Sequence, residues 1–91
     1  MSGKDGVSLE MYSASWCNPC KGMAPVIEEL RAAGWNITKI DVDHERDKAI
    51  ANGVQAVPTY LIYKEGRVVR RLTGAQQRFS LETELRLARD S

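Results

Sequence analysis

Cys17 and Cys20 are the only cysteines in this chain of 91 residues, and they stand three apart in Trp16-Cys17-Asn18-Pro19-Cys20-Lys21. A structural disulfide gains most by closing a long loop, so this spacing is a poor choice for stabilisation. It points instead to redox chemistry or to half of a metal site. For redox work one sulfur must be held as a thiolate, the form that attacks disulfides. The first turn of a helix offers unpaired N–H groups and partial positive charge for that purpose. Cys17 is placed as the nucleophile, its pKa falling below the free value of about 8.5 towards ~7. Cys20, one turn further in, lies on the same side of the helix and is the more shielded, resolving thiol. Cys17 would form a mixed disulfide with a target and Cys20 would then displace it, leaving Cys17 and Cys20 joined. Pro19 stiffens the loop without losing a hydrogen bond, since its missing N–H would be unpaired there anyway.

That chemistry needs a strand to deliver Cys17 and a helix to carry Cys20. Val7, Leu9 and Met11 alternate with Ser8, Glu10 and Tyr12, which predicts a strand over 7–12. The helix after it runs to about Ala33, with Met23, Val26, Ile27 and Leu30 as its apolar stripe. Pro25 should kink it and Gly34 end it. A second strand spans 35–42. Asp43 is placed to cap a short helix that runs to about Asn52 and is closed by Gly53. Strands at 59–63 and 67–73 form a hairpin around Glu65-Gly66. The last helix covers 76–89, with Phe79, Leu81, Leu85 and Leu87 or Ala88 on its buried side. The order β-α-β-α-β-β-α predicts an α/β fold, a four-stranded mixed sheet flanked by three helices. Residues 1–6 read as a flexible N-terminus and 7–90 as a single domain.

The active segment resembles that of thioredoxins, usually Trp-Cys-Gly-Pro-Cys-Lys. The resemblance continues through Pro25, Asp41-Val42-Asp43, Val57-Pro58-Thr59, Lys64-Glu65-Gly66 and Gly74, over about residues 7–90. It implies the thioredoxin fold and a protein-disulfide reductase working through Cys17 and Cys20. It also implies a cis peptide before Pro58 and a mostly apolar docking surface of Trp16, Val57, Pro58 and Gly74. Asn18, Pro19, Lys21 and Lys39 would support the site. The implied partners are disulfide-containing proteins and a flavin-dependent thioredoxin reductase that draws on NADPH. No cofactor beyond the cysteine pair is implied.

Three departures stand out. The chain starts at the strand that follows the usual first strand and helix of thioredoxins, as glutaredoxins do. Asn18 replaces a glycine between the cysteines, where residues tune redox potential. Met11 occupies the place of a buried aspartate that helps deprotonate the resolving thiol, while that aspartate's partner lysine is matched by Lys39. Cys20 is therefore expected to lose its proton to water or a weaker base, with Asp41 pairing with Lys39.

Other readings compete. Zinc would need four ligands, and the chain offers Cys17, Cys20 and the distant His44. His44 reads better as a solvated residue near a helix start. Trp35 reads as core. The basic hairpin residues Lys64, Arg67, Arg70 and Arg71 protect an edge strand or, less simply, dock an acidic partner. A glutaredoxin-like, glutathione-dependent protein would suit the length, but Ala56-Val57-Pro58 stands where Thr-Val-Pro is typical. A docking module that keeps the fold would need neither cysteine. Thirteen basic against twelve acidic residues give a net charge of +1, which makes no case for nucleic acid or an anionic membrane. With no long apolar stretch and a polar start, a cytoplasmic monomer is expected.

Overall fold

The alternation that begins at Val7 puts one set of side chains on each face of a sheet, and that division organises the molecule. The computed structural model describes residues 6–91; the expected loose segment therefore lies, for residues 1–5, outside the described residues. The strands are β1 (Val7–Ser13), β2 (Asn36–Asp41), β3 (Thr59–Lys64) and β4 (Arg67–Thr73). They lie in the order β2-β1-β3-β4, with β2 parallel to β1 and the other neighbours antiparallel. A register shift at Ile62/Tyr63 interrupts the hairpin. The helices are α1 (Asn18–Gly22), α2 (Ala24–Ala32), α3 (Arg46–Ala51) and α4 (Arg78–Asp90).

One face carries the main core. Val7, Leu9, Met11, Ile37, Tyr60 and Ile62 of the sheet pack with Ile27 and Leu30 of α2 and with Leu81, Leu85 and Ala88 of α4. Both cysteines belong to this cluster. Trp35 joins it as expected, with the Arg89 guanidinium 5.9 Å from its ring centre.

The other face is smaller. Tyr12, Ile40 and Leu61 pack with Ala49 of α3, and beside them the apolar layer gives way to a polar network. The Glu10 carboxylate accepts from Tyr63 Oη at 2.7 Å and Tyr12 Oη at 3.0 Å, and Lys48 Nζ lies 2.9 Å from its other oxygen. Asn52 in turn donates to Tyr12 Oη. Burial alone would raise the Glu10 carboxyl, but the hydrogen bonds from Tyr63, Lys48 and Tyr12 outweigh it and hold the carboxyl below its usual range. Burial and the same carboxylate push the Tyr12 phenol up to about 12.

Three expectations about the helices are corrected. The stretch from 18 to 33 is two helices, interrupted at Met23, rather than one kinked helix. Pro25 has no N–H to give the Lys21 carbonyl four residues back, so the first helix stops and α2 starts with the proline in its first turn. Asp43 is not the cap of α3. Glu45 holds that position without a side-chain bond, while Asp41 Oδ1 accepts from the backbone N–H groups of Asp43 and His44 at 2.8 and 3.4 Å. Phe79 and Leu87 are exposed, at 75% and 53%. The stripe Leu81, Leu85, Ala88 turns towards the core. Phe79 lies two residues before Leu81 and Leu87 two after Leu85, each about 200° round the helix.

The basic hairpin is tied to its own chain. Arg70 meets Glu84 of α4 at 2.6 Å, Lys64 Nζ donates to the Arg89 carbonyl and Arg71 to the Asn52 carbonyl. These contacts suit the edge-protecting reading, since three of the four cations are engaged within the fold.

Candidate active site

β1 ends at Ser13, and the chain turns through Ala14, Ser15 and Trp16 to deliver Cys17 at the start of α1. The turn is held by Cys17 N–H donating to the Ala14 carbonyl at 3.1 Å. Cys17 is the N-cap residue, with extended backbone at φ −93° and ψ 105°, and Pro19 stands in the first turn. Its Sγ accepts from the Cys20 N–H at 3.2 Å. The two sulfurs are joined in a disulfide, with Cα atoms 5.3 Å apart. The structure is thus the oxidised state.

Two sequence expectations change here. Cys20 is not the more shielded residue, since both cysteines are 4% exposed; the bond holds both sulfurs against one wall of the core. The long helix expected to polarise Cys17 is absent, because α1 has only five residues. What reaches Cys17 Sγ directly is the Cys20 N–H.

The facing wall is the loop before β3. The Val57–Pro58 peptide is cis, as the resemblance implied. Thr59 Oγ1 donates to the Ala56 carbonyl at 2.6 Å, and Gly74 N–H donates to the Pro58 carbonyl at 2.8 Å. Gly74 has φ +91°, a left-handed conformation that favours glycine. Val57 is half-buried and packs against the cluster that contains the cysteines. Pro58 itself is fully buried, so it shapes the wall and shows no ring to a target.

Trp16 is 65% exposed beside Cys17. Its indole N–H donates to Asp43 Oδ2 at 2.9 Å, which fixes the ring's edge. Between Trp16 and Val57 lies a hollow of about 170 Å³ lined by Trp16, Val42, Val54, Gln55, Ala56 and Val57. Cys17, Cys20, Trp16, Val57 and Gly74 therefore share one end of the sheet, with Asn18, Pro19 and Lys21 on α1 beside them.

On the other flank of Cys20 opens a cleft of about 280 Å³, where Lys21, Lys39 and Asp41 meet the loop of Ser13 and Ser15. Met11 is fully buried beneath the site. The expected Lys39–Asp41 ion pair is not formed. Among the described residues, the basic side chain within 4.0 Å of Asp41 is His44, at 3.9 Å; the other Asp41 oxygen is turned back to cap the following turn. His44 is exposed. No group of three His, Cys, Asp or Glu among the described residues is arranged to hold a metal.

Asp43 is the site residue that sequence reasoning missed. Its residue type and position suggest a helix cap, whereas its bond to Trp16 spans 27 positions, a separation no local pattern signals.

The family model described as thioredoxin matches residues 2–86. The chain belongs to the thioredoxin family. This thioredoxin-family chain is 41% identical over 81 residues to a thioredoxin of Bacillus subtilis, covering 86% of its own length and 78% of that protein. Among solved structures it superposes on a mutant thioredoxin from Halobacterium salinarum with a TM-score of 0.88, at 32% identity, covering 94% of this chain and 77% of that one. A thioredoxin from Nicotiana alata gives 0.85 at 38% identity, with 92% and 74% covered. The four-stranded mixed sheet is the thioredoxin fold. The family and the Cys17–Cys20 pair make the protein a thiol–disulfide oxidoreductase with protein-disulfide reductase activity. The glutaredoxin-like and docking-only readings are not favoured.

Proposed function

We propose that this thioredoxin-family chain is a general dithiol reductant of protein disulfides, with Cys17 as nucleophile and Cys20 as resolving thiol. The observation that carries the order of attack is the Cys20 N–H aimed at Cys17 Sγ at 3.2 Å. A hydrogen bond to the charged form favours that form, so Cys17 is the sulfur held ionised when the pair is reduced. Its thiolate attacks one sulfur of a target disulfide, and the other target sulfur leaves as a thiolate. Cys20 then loses its proton and attacks Cys17 Sγ. The Cys17–Cys20 bond forms, and the target's second sulfur departs and is protonated. Two electrons have passed to the target.

Docking is assigned to exposed Trp16, the Val57 backbone and Gly74, with Pro58 shaping the wall behind them. An extended target segment would pair with the Val57 main chain. Asn18 and Pro19 set the loop between the sulfurs, and Lys21 and Lys39 supply positive charge at its flank. The electron donor is an NADPH-dependent flavin reductase of the thioredoxin reductase class. The working compartment is the cytoplasm, where a reducing pool keeps such a pair cycling. No helix among the described residues is long and apolar enough to cross a membrane.

The test is insulin precipitation driven by NADPH with thioredoxin reductase, run beside glutathione with its own reductase. The first system should drive the reaction and the second should not. Cys17→Ser should abolish it, and Cys20→Ser should accumulate a mixed disulfide at Cys17. Turnover with Cys17→Ser, or turnover only with glutathione, would overturn the proposal.

A further inference from the structure

The resolving step requires Cys20 to give up a proton, and the surroundings of Cys20 leave few groups to take it. On the core side Cys20 belongs to a cluster built mainly of apolar side chains, Met11, Met23 and Ile27 among them, which carry no titratable group. Tyr60 shares the cluster, but burial pushes its phenol up to about 12, and its hydroxyl makes no hydrogen bond with either sulfur. On the other side Cys20 lines the cleft of about 280 Å³. Among the described residues, the charged groups that line this cleft are Lys21 from α1 and Lys39 and Asp41 from β2, with Ser13 at the end of β1 and Ser15 in the loop after it. Beyond Asp41 stands exposed His44.

We propose that Asp41 is the proton acceptor for Cys20 in the resolving step, reached through solvent in this cleft. This rests on Cys20 being the resolving thiol. Three features of the cleft support it. Among the described residues, Asp41 is the one carboxylate lining the cleft. It is not consumed by an ion pair with Lys39. One oxygen is committed to the backbone N–H groups of Asp43 and His44, which fixes the side chain, while the other, Oδ2, lies 3.9 Å from Nδ1 of exposed His44 and 34% of the Asp41 side chain is exposed. The cleft has room for several waters, each needing about 30 Å³, and a base can act through one intervening water.

The step balances simply. The Cys20 S–H bond breaks, its proton passes through cleft water to the Asp41 carboxylate, and the Cys20 electron pair forms the bond to Cys17 Sγ. The bond from Cys17 to the target sulfur breaks, and that sulfur leaves with the pair. Asp41 then returns its proton to solvent, to which the cleft is open. Lys39 and Lys21 favour the transient thiolate by charge.

The experiment mixes fully reduced protein with a chromogenic aromatic disulfide in a stopped-flow instrument. The first aromatic thiolate released reports attack by Cys17, and the second reports attack by Cys20. Asp41→Asn keeps the oxygen that accepts from Asp43 and His44, so the turn is preserved. The second phase of Asp41→Asn should be about threefold to tenfold slower near pH 6.5, a modest loss for a base acting through water. It should converge on the parent's rate above about pH 9, where the thiol ionises unaided. The first phase should not change, and added acetate should restore the second phase in Asp41→Asn alone. A second phase that is unchanged, or slowed equally at every pH without rescue by acetate, overturns the role of Asp41. A parent protein that shows no second phase, or a Cys20→Ser variant that keeps one, overturns instead the assignment of Cys20 as the resolving thiol.

Discussion

Replacing Glu10 with glutamine probes the polar network on the minor face of the sheet. The substitution preserves shape and removes the charge, so it isolates what the carboxylate contributes. Glu10 accepts from Tyr63 and Tyr12 and pairs with Lys48. Hydrogen bonds to a charged group contribute about 1.5–3 kcal/mol and neutral ones about 0.5–1.5 kcal/mol, so each tyrosine bond should lose about 1 kcal/mol. The Lys48 side chain is 40% exposed, and that pair adds only a few tenths in water. The expected loss is about 2 kcal/mol at neutral pH, or about 8–16 °C in Tm for a domain of this size. The Glu10 carboxyl is held below its ordinary range in the fold. Its stabilisation is therefore complete above the unfolded pKa of about 4.3 and fades as pH falls through the lower folded value. Thermal unfolding of the oxidised protein at a series of pH values checks this. The gap between parent and Glu10→Gln should be widest near pH 7 and close near pH 2. A gap that persists undiminished at that acidity, or none at pH 7, would refute the reasoning. At the alkaline end the sign reverses. The Tyr12 phenol is raised to about 12, so its contribution is present below about pH 10 and is lost as pH climbs towards 12.

Met11→Asp puts a carboxyl into the core beneath the sulfurs, opposite Tyr60 in the register of β1 and β3. It should destabilise the protein by about 2–4 kcal/mol, from lost apolar burial and desolvation. It should also speed clearance of the mixed disulfide, measured as the second phase of aromatic thiolate release; an unchanged or slower phase would count against the view that Met11 slows resolution. On α4, Leu85→Ala should lose about 2–5 kcal/mol, whereas Phe79→Ala should stay within about 0.5 kcal/mol because that ring is in solvent. Urea unfolding of the two variants side by side reads the contrast.

What the sequence made legible follows from how local its causes are. The alternation in 7–12, the two-residue turn at Glu65-Gly66 and the cysteine spacing each lie within a few positions, and each produced its element. The resemblance added what alternation does not carry, above all the cis peptide at Val57–Pro58 beside the cysteine-bearing cluster. The failures share a different cause. Phe79 reads as core because its type is apolar, although a stripe through Leu81 and Leu85 excludes it by angle; the same stripe decides between Leu87 and Ala88 in favour of Ala88. Asp43 was read through its capping propensity, but its partner Trp16 arrives from 27 positions away. The Lys39–Asp41 pair failed because a backbone turn competes for the same carboxylate. Long-range partners and competing hydrogen bonds leave no periodic trace.

The interruption at Met23 separates two mechanical duties. Ile27 and Leu30 anchor α2 in the main core, while both sulfurs ride on a short preceding segment joined to it at one residue. Opening and closing a bond in that turn need not tug on the anchored segment. A short segment set off in this way can open at the local cost of a few contacts without unfolding the helix behind it.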